Sequence, residues 1–124
     1  MAIVRDGRNL MTGLLVGDGN TDLSSDNAYI WVGSGTAAHD PTDAHLSASG
    51  VGSSQADGYP ITATNVLTFR SLFATEDAYF QWEEWGIKNT STTGTSLFNR
   101  KVESLGTKTS TQTWQMTVTL TITT

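Results

Sequence analysis

From Thr113 to Thr123 polar and apolar residues alternate without a break. Trp114, Met116, Val118, Leu120 and Ile122 fall on one side, and Thr113, Gln115, Thr117, Thr119, Thr121 and Thr123 fall on the other. A period of two is the period of a β-strand, because successive side chains point to opposite faces of a sheet. This segment is therefore expected as a strand with one buried and one wet face, and it needs a second layer to cover its apolar side.

The stretch Tyr79 to Ile87, YFQWEEWGI, supplies the centre of the core. It gathers one Tyr, one Phe and two of the four tryptophans into nine residues, and aromatic side chains bring the largest apolar area per residue to a pleated surface. The alternation changes parity between Phe80 and Trp82 on one side and Trp85 and Ile87 on the other, with Glu83 and Glu84 between them. An extra residue in a bulge would produce that change, and Gly86 is expected to supply the backbone freedom for the kink.

Other strands follow from shorter signals. Ala28 to Val32, AYIWV, reads as a buried strand, and Val66 to Phe73 alternates with Leu67, Phe69 and Phe73 on one face, broken by Leu72. Ala74 to Asp77 is expected to turn, and Asn89 to Ser96 is a polar hairpin loop. Leu97 to Val102 follows as a strand in which Asn99, Arg100 and Lys101 are expected to limit burial, and Gly106 to Thr111 turns the chain again. Near the start, Leu10, Met11, Leu14 and Leu15 have helical spacing, so residues 1–17 are expected to form an arm with a short helix, held short by Gly7, Gly13 and Gly17. Residues 33–59 hold little to bury and are expected as a long irregular loop that could reach a neighbour. Several short strands without βαβ alternation define the expected class: all-β, one domain spanning 1–124, an antiparallel β-sandwich or jelly-roll-like barrel. Ser and Thr make up 33 of the 124 residues, and Thr favours strands.

Charge and composition exclude some functions. A net charge of -5 with seven scattered basic residues argues against a nucleic-acid partner, which needs clustered Lys and Arg. No apolar run reaches the roughly 18 residues of a membrane span, so no membrane partner is expected, and Arg5, Asp6, Gly7 and Arg8 interrupt the opening residues where a signal peptide would be apolar. Cysteine is absent, which excludes disulfides and thiolate chemistry.

Five constellations offer chemistry on paper. His39, Asp40, Asp43 and His45 have the side chains of metal ligands, but they share one loop with Pro41 and no regular element to fix their geometry. Asp18, Asn20 and Asp22 begin like a calcium loop, yet Leu23 stands where such a loop needs Gly and Tyr29 where it needs Glu. Gly33, Gly35 and Ala38 match a dinucleotide fingerprint by spacing, but Pro41 and a Gly/Ser-rich tract follow where a helix must open. Glu83 and Glu84 are adjacent and would face opposite sides of a strand, so they are not a general acid and base. A buried member of the two is expected to accept hydrogen bonds from backbone or Arg and to hold a corner of the sheet. Asn89, Thr90 and Ser91 satisfy a glycosylation sequon, which has no meaning without secretion. No catalytic, cofactor-binding or metal residue is assigned.

Four segments, GRNLMTGLLVG, AYIWVGSGTAA, LTFRSLFATEDAYFQWEEWGIKN and LFNRKVESLGTKTSTQTWQMTVTLTI, together resemble small virion proteins of tailed bacteriophages, with residues 39–59 least similar. The resemblance is one of scaffold residues and carries no catalytic motif. It implies a non-enzymatic structural protein located in the phage particle and made in the host cytoplasm. Its partners would be the major capsid protein or other virion proteins, and it would act as a homo-oligomer. The closest analogy is to capsid decoration or cement proteins, with tail, neck or fibre components as the alternative. A carbohydrate-binding module is a third class, in which Trp31, Trp82 or Trp85 would have to stand exposed to stack on sugars.

Overall fold

A computed structural model describes residues 2–92 and 97–123. It contains one helix, α1 (Arg5–Leu15), and eight strands: β1 (Ala2–Ile3), β2 (Tyr29–Gly33), β3 (Val51–Ser54), β4 (Ile61–Ala63), β5 (Val66–Phe73), β6 (Gln81–Lys88), β7 (Asn99–Thr107) and β8 (Trp114–Thr121). All pairings are antiparallel. One sheet has five strands in the order β1-β7-β6-β2-β3, and the other has three in the order β4-β5-β8. The chain is thus an all-β sandwich with a short N-terminal helix.

The alternation of β8 sets the register with β5, from Val66 opposite Thr121 to Phe73 opposite Trp114. Val118 and Leu120 enter the core beside Phe69 and Phe73, whereas Leu72, the residue that broke the pattern of β5, points outward and is 51 % exposed. Ser71 takes the inward position instead, and its hydroxyl donates to Ser53 O at 3.0 Å.

The bulge in β6 lies between Trp82 and Glu84, where the register with β7 shifts. Its effect is to return Trp82, Trp85 and Ile87 to one core, together with Ile30, Val32, Phe69, Phe73, Phe98, Val118 and Leu120. Gly86 has a different task from the one its sequence position suggests. A Cβ there would collide with Asn99 O, so the residue permits close approach of β7 and does not shape the kink.

The five-stranded sheet is covered on both faces. Its far side carries a second cluster of Val4, Trp31, Leu46 and Leu97. Residues 33–59 help to build that side and are not a loose excursion: Gly33 ends β2, Val51–Ser54 form β3 against β2, and Gln55 bridges to Ser71 of β5. The sequence hid β3 because its four residues, VGSS, bury little and two of them are Ser. Gly52 is required there, because a Cβ would meet the Trp31 ring. The Ser53 hydroxyl donates to Leu72 O at 2.5 Å, so the two sheets are stitched together along this side.

The N-terminal arm also belongs to the fold. Val4 N–H donates to Phe98 O at 3.1 Å and Arg5 N–H to Pro41 O at 2.7 Å, satisfying backbone donors at the helix start that lack a side-chain cap. Gly7 lies inside the helix and does not shorten it, since a Cβ would strike Phe98 O. The helix ends at Leu15, and Gly17 just beyond it takes the left-handed region with φ 66°, where Leu14 O accepts its N–H.

Candidate functional site

The far face of β6 holds the most concentrated buried polar chemistry among the described residues. Because of the bulge, Glu84 points away from the aromatic core, and the strand on its other flank brings in Arg100. Both side chains are buried, at 0 % and 1 % exposure, and Arg100 Nε donates to Glu84 Oε1 at 2.9 Å. Buried charges persist only when they are paired and hydrogen-bonded, and here both groups find further partners in the loop after β2. Glu84 Oε1 also accepts Ser47 N–H at 2.7 Å, while Oε2 accepts Gly35 N–H at 2.8 Å, Ala48 N–H at 3.0 Å and the Ser47 hydroxyl at 3.2 Å. Arg100 gives Nη2 to Ala37 O at 2.7 Å and Nη1 to Ala38 O at 3.3 Å and Asp43 Oδ2 at 3.0 Å.

Burial by itself raises the Glu84 carboxyl, but the Ser47 and Ala48 amides and the Arg100 guanidinium together outweigh it. Its pKa lies below the ordinary value of 4.5. Glu84 therefore stays ionised at neutral pH and, with Arg100, fastens residues 35–48 to the sheet.

The residues singled out by sequence separate around this pair. Asp43 joins it through Arg100, and His39 Nδ1 stands 3.8 Å from Asp43 Oδ2. Asp40 folds back on Thr42, and His45 Nδ1 lies 2.8 Å from Leu46 O. Among the described residues no group of three or more His, Asp or Glu converges as metal ligands. Asp18 and Asp22 each bind their own turn, Asp18 to Asn20 and Asp22 to Ser24 and Asn27. Gly33 and Gly35 do cradle an anion, but it is the protein's own Glu84 carboxylate, and a Cβ on Gly35 would collide with Glu84 Oε2 and Ser47 Oγ. Glu83 is paired with Gln81 and Ser104 at the surface. Asn89 donates to Thr21 O at 2.7 Å; the loop from Asn89 to Ser96 lies partly outside the described residues.

Arg100 and Asn99 correct the expectation that polar residues limit the burial of β7, since both are fully enclosed. Asn99 Oδ1 accepts Ile87 N–H at 3.0 Å. Two lysines are buried in similar fashion. Lys108 Nζ donates to Ala74 O and Asp77 O, both at 2.7 Å, closing the turn before β6. Lys88 Nζ donates to Thr92 O at 2.8 Å and sits 4.3 Å from the centre of the Trp31 ring, and burial lowers its pKa. No local pattern separates such lysines from solvated ones.

Trp31, Trp82 and Trp85 are 4 %, 2 % and 6 % exposed, so none offers a ring face to solvent. Trp114 differs. It is half-buried and, with Met116, Leu105 and the edges of Trp82 and Trp85, lines an open groove of about 580 Å3 between β7 and β8.

No protein-family model, no curated protein and no solved structure matches this chain.

Proposed function

We propose that this protein is a structural component of a tailed-phage particle, and specifically a decoration protein that binds the major-capsid lattice. The observation that carries a mechanical reading is the Glu84–Arg100 pair. Both charges are consumed by contacts within the chain, to the Gly35, Ser47 and Ala48 amides and the Ala37 and Ala38 carbonyls. They make a rigid body out of a loop and a sheet. The placement in a virion is supported by the resemblance of the four segments quoted above, which include both partners of the pair, in EEWGIKN and LFNRK.

On this reading each copy bridges neighbouring capsomers, and the added interface raises the barrier to rupture under internal pressure. An acidic exterior at net charge -5 keeps the protein off the packaged DNA. Mixing the purified protein with empty capsids of its phage and imaging them by cryo-electron microscopy tests the assignment. Regular added density over the lattice is the expected result. Bare lattices, with density confined to a single vertex or the tail of intact virions, would move the protein to the neck or tail.

A further inference from the structure

The two sheets are unequal, and the missing width lies beside β8. On one side the sandwich is closed by the contacts of Ser53 and Gln55 with β5. On the other side, among the described residues, β8 has no strand neighbour but β5, and the groove floored by Trp82 and Trp85 opens between it and β7.

Unpaired edges are normally blunted by shortness, charge, proline or a bulge. The outer edges of β1 and β4 are two and three residues long. The free part of β7 carries Lys101 and Glu103, which pair with each other at 2.7 Å, and it bends at Gly106 with φ 105°. β8 has none of these protections. It runs eight residues, WQMTVTLT, with no charge and no proline, and its register with β5 is unbroken.

The direction of its backbone groups follows from one bond. Ile122 N–H donates to Asn65 O at 2.9 Å, one position beyond the Val66–Thr121 pair. In an antiparallel ladder the residues bonded to one neighbour alternate with those facing the other side. The even-numbered residues of β8 therefore bond to β5. Gln115, Thr117, Thr119 and Thr121 turn their N–H and C=O groups to the open edge.

We propose that this edge pairs with itself: two copies join β8 to β8 about a two-fold axis, turning two three-stranded sheets into one of six strands. Antiparallel pairing places opposed side chains on one face, so only registers that match even with even residues keep both apolar faces inward. The register centred on Val118 uses all four outward residues, with Thr117 against Thr119 and Gln115 against Thr121. It makes about eight backbone hydrogen bonds, close to the roughly ten of a standard interface. It also sets Met116 against Leu120, and Trp114 against Ile122, which is 52 % exposed in the single chain. The partner's strand then continues the narrow sheet over the inner face of β7, where Leu105 is uncovered. Two copies that each carry net charge -5 repel, and an uncharged strand is the surface on which they meet at least cost. The proposal rests on β8 alone and is independent of a place in a virion.

The test is the mass of the purified full chain by sedimentation, followed over a concentration series. Wild type is expected to reach twice 13.3 kDa. Thr119→Pro removes an outward donor while sparing every bond to β5, and Thr119→Lys adds a charge on an exposed position. Both are expected to stay at 13.3 kDa with the wild-type circular dichroism spectrum. In this cysteine-free chain, Thr117→Cys and Thr119→Cys are expected to form a disulfide-linked dimer when the two variants are mixed and oxidised, and not when either is alone. A monomer at the highest soluble concentration, or a dimer that survives both Thr119 substitutions, overturns the proposal. So does a monomer that captures a foreign strand but not its own.

Discussion

At Glu84 a carboxylate sealed from water is surrounded by five donors, and its position argues for large single-residue effects. Glu84→Ala leaves the Arg100 guanidinium buried beside empty space and is expected to cost about 3–5 kcal/mol in a urea melt. The double variant Glu84→Leu with Arg100→Met removes both charges and is expected to cost clearly less than the sum of the single changes, which a double-mutant cycle measures. The pH dependence follows with its sign. A carboxyl whose folded pKa is lowered binds fewer protons in the folded state than in the unfolded one. Its stabilisation is complete above the ordinary 4.5 and is lost as pH falls through the folded value, so urea midpoints are expected to drop below pH 4.5. Glu84→Gln is expected to flatten that part of the profile. Among the aromatic residues, Trp82 is the buried hub, with ring centroids 4.9 Å from Phe73 and 5.0 Å from Trp114. Trp82→Ala is expected to cost about 3–5 kcal/mol. The alternation of β8 taken alone assigns a loss of that size to Trp114→Ala as well, but Trp114 lines an open groove and is expected to lose less. Equal losses in parallel melts would mean that the groove is filled in solution.

At the scale of elements, the bulge in β6 serves two layers at once. It sends Trp82, Trp85 and Ile87 into the inter-sheet core and Glu84 and Lys88 to the opposite face, where the loop of residues 34–50 completes the second layer. That loop holds its course through backbone donors to one side chain, and hydrogen exchange can read the contact directly. The amides of Gly35, Ser47 and Ala48 are expected to exchange slowly in wild type and quickly in Glu84→Gln, while the amides paired between β5 and β8 keep their protection. Loss of protection across both regions would show that the loop and the second sheet open as one unit. Gly86→Ala is expected to force β6 and β7 apart, because Asn99 O occupies the space the methyl needs. The same change at Gly58, with φ 84° and open surroundings, strains only the backbone.

For the whole molecule, among the described residues, the sandwich is fastened along the β3–β5 side and open along β7 and β8, with one long uncharged edge exposed. On the edge-pairing proposal the surface for assembly lies at β8, on the open side, while the closed polar network lies on the opposite face of the wide sheet. Capsid imaging tests the proposed partner lattice, and solution mass tests the proposed edge, each independently of the other.

Much of this was legible in the chain itself because it depends on neighbours in sequence. The period of two along Trp114–Thr121, the strands at Tyr29–Gly33 and Val66–Phe73, the parity change that marks the bulge, and the helical spacing near the start are all local signals of the pleat or the helix turn. The acceptor role of a buried Glu was legible as well, since adjacent carboxylates on a strand point to opposite faces and one turned into the fold must accept hydrogen bonds. Other features exist only after the sheet brings distant residues together. Arg100 and Glu84 are 16 residues apart and Gly35 is 49 from Glu84, so no window of sequence could distinguish this arginine from a solvated one. β3 and β4 lack an apolar signature because pairing, and not side-chain burial, makes them strands. Hydrophobic periodicity fixes which side of an element turns inward; which buried charge meets which backbone amide, and which strand is left at an edge, is decided by topology alone.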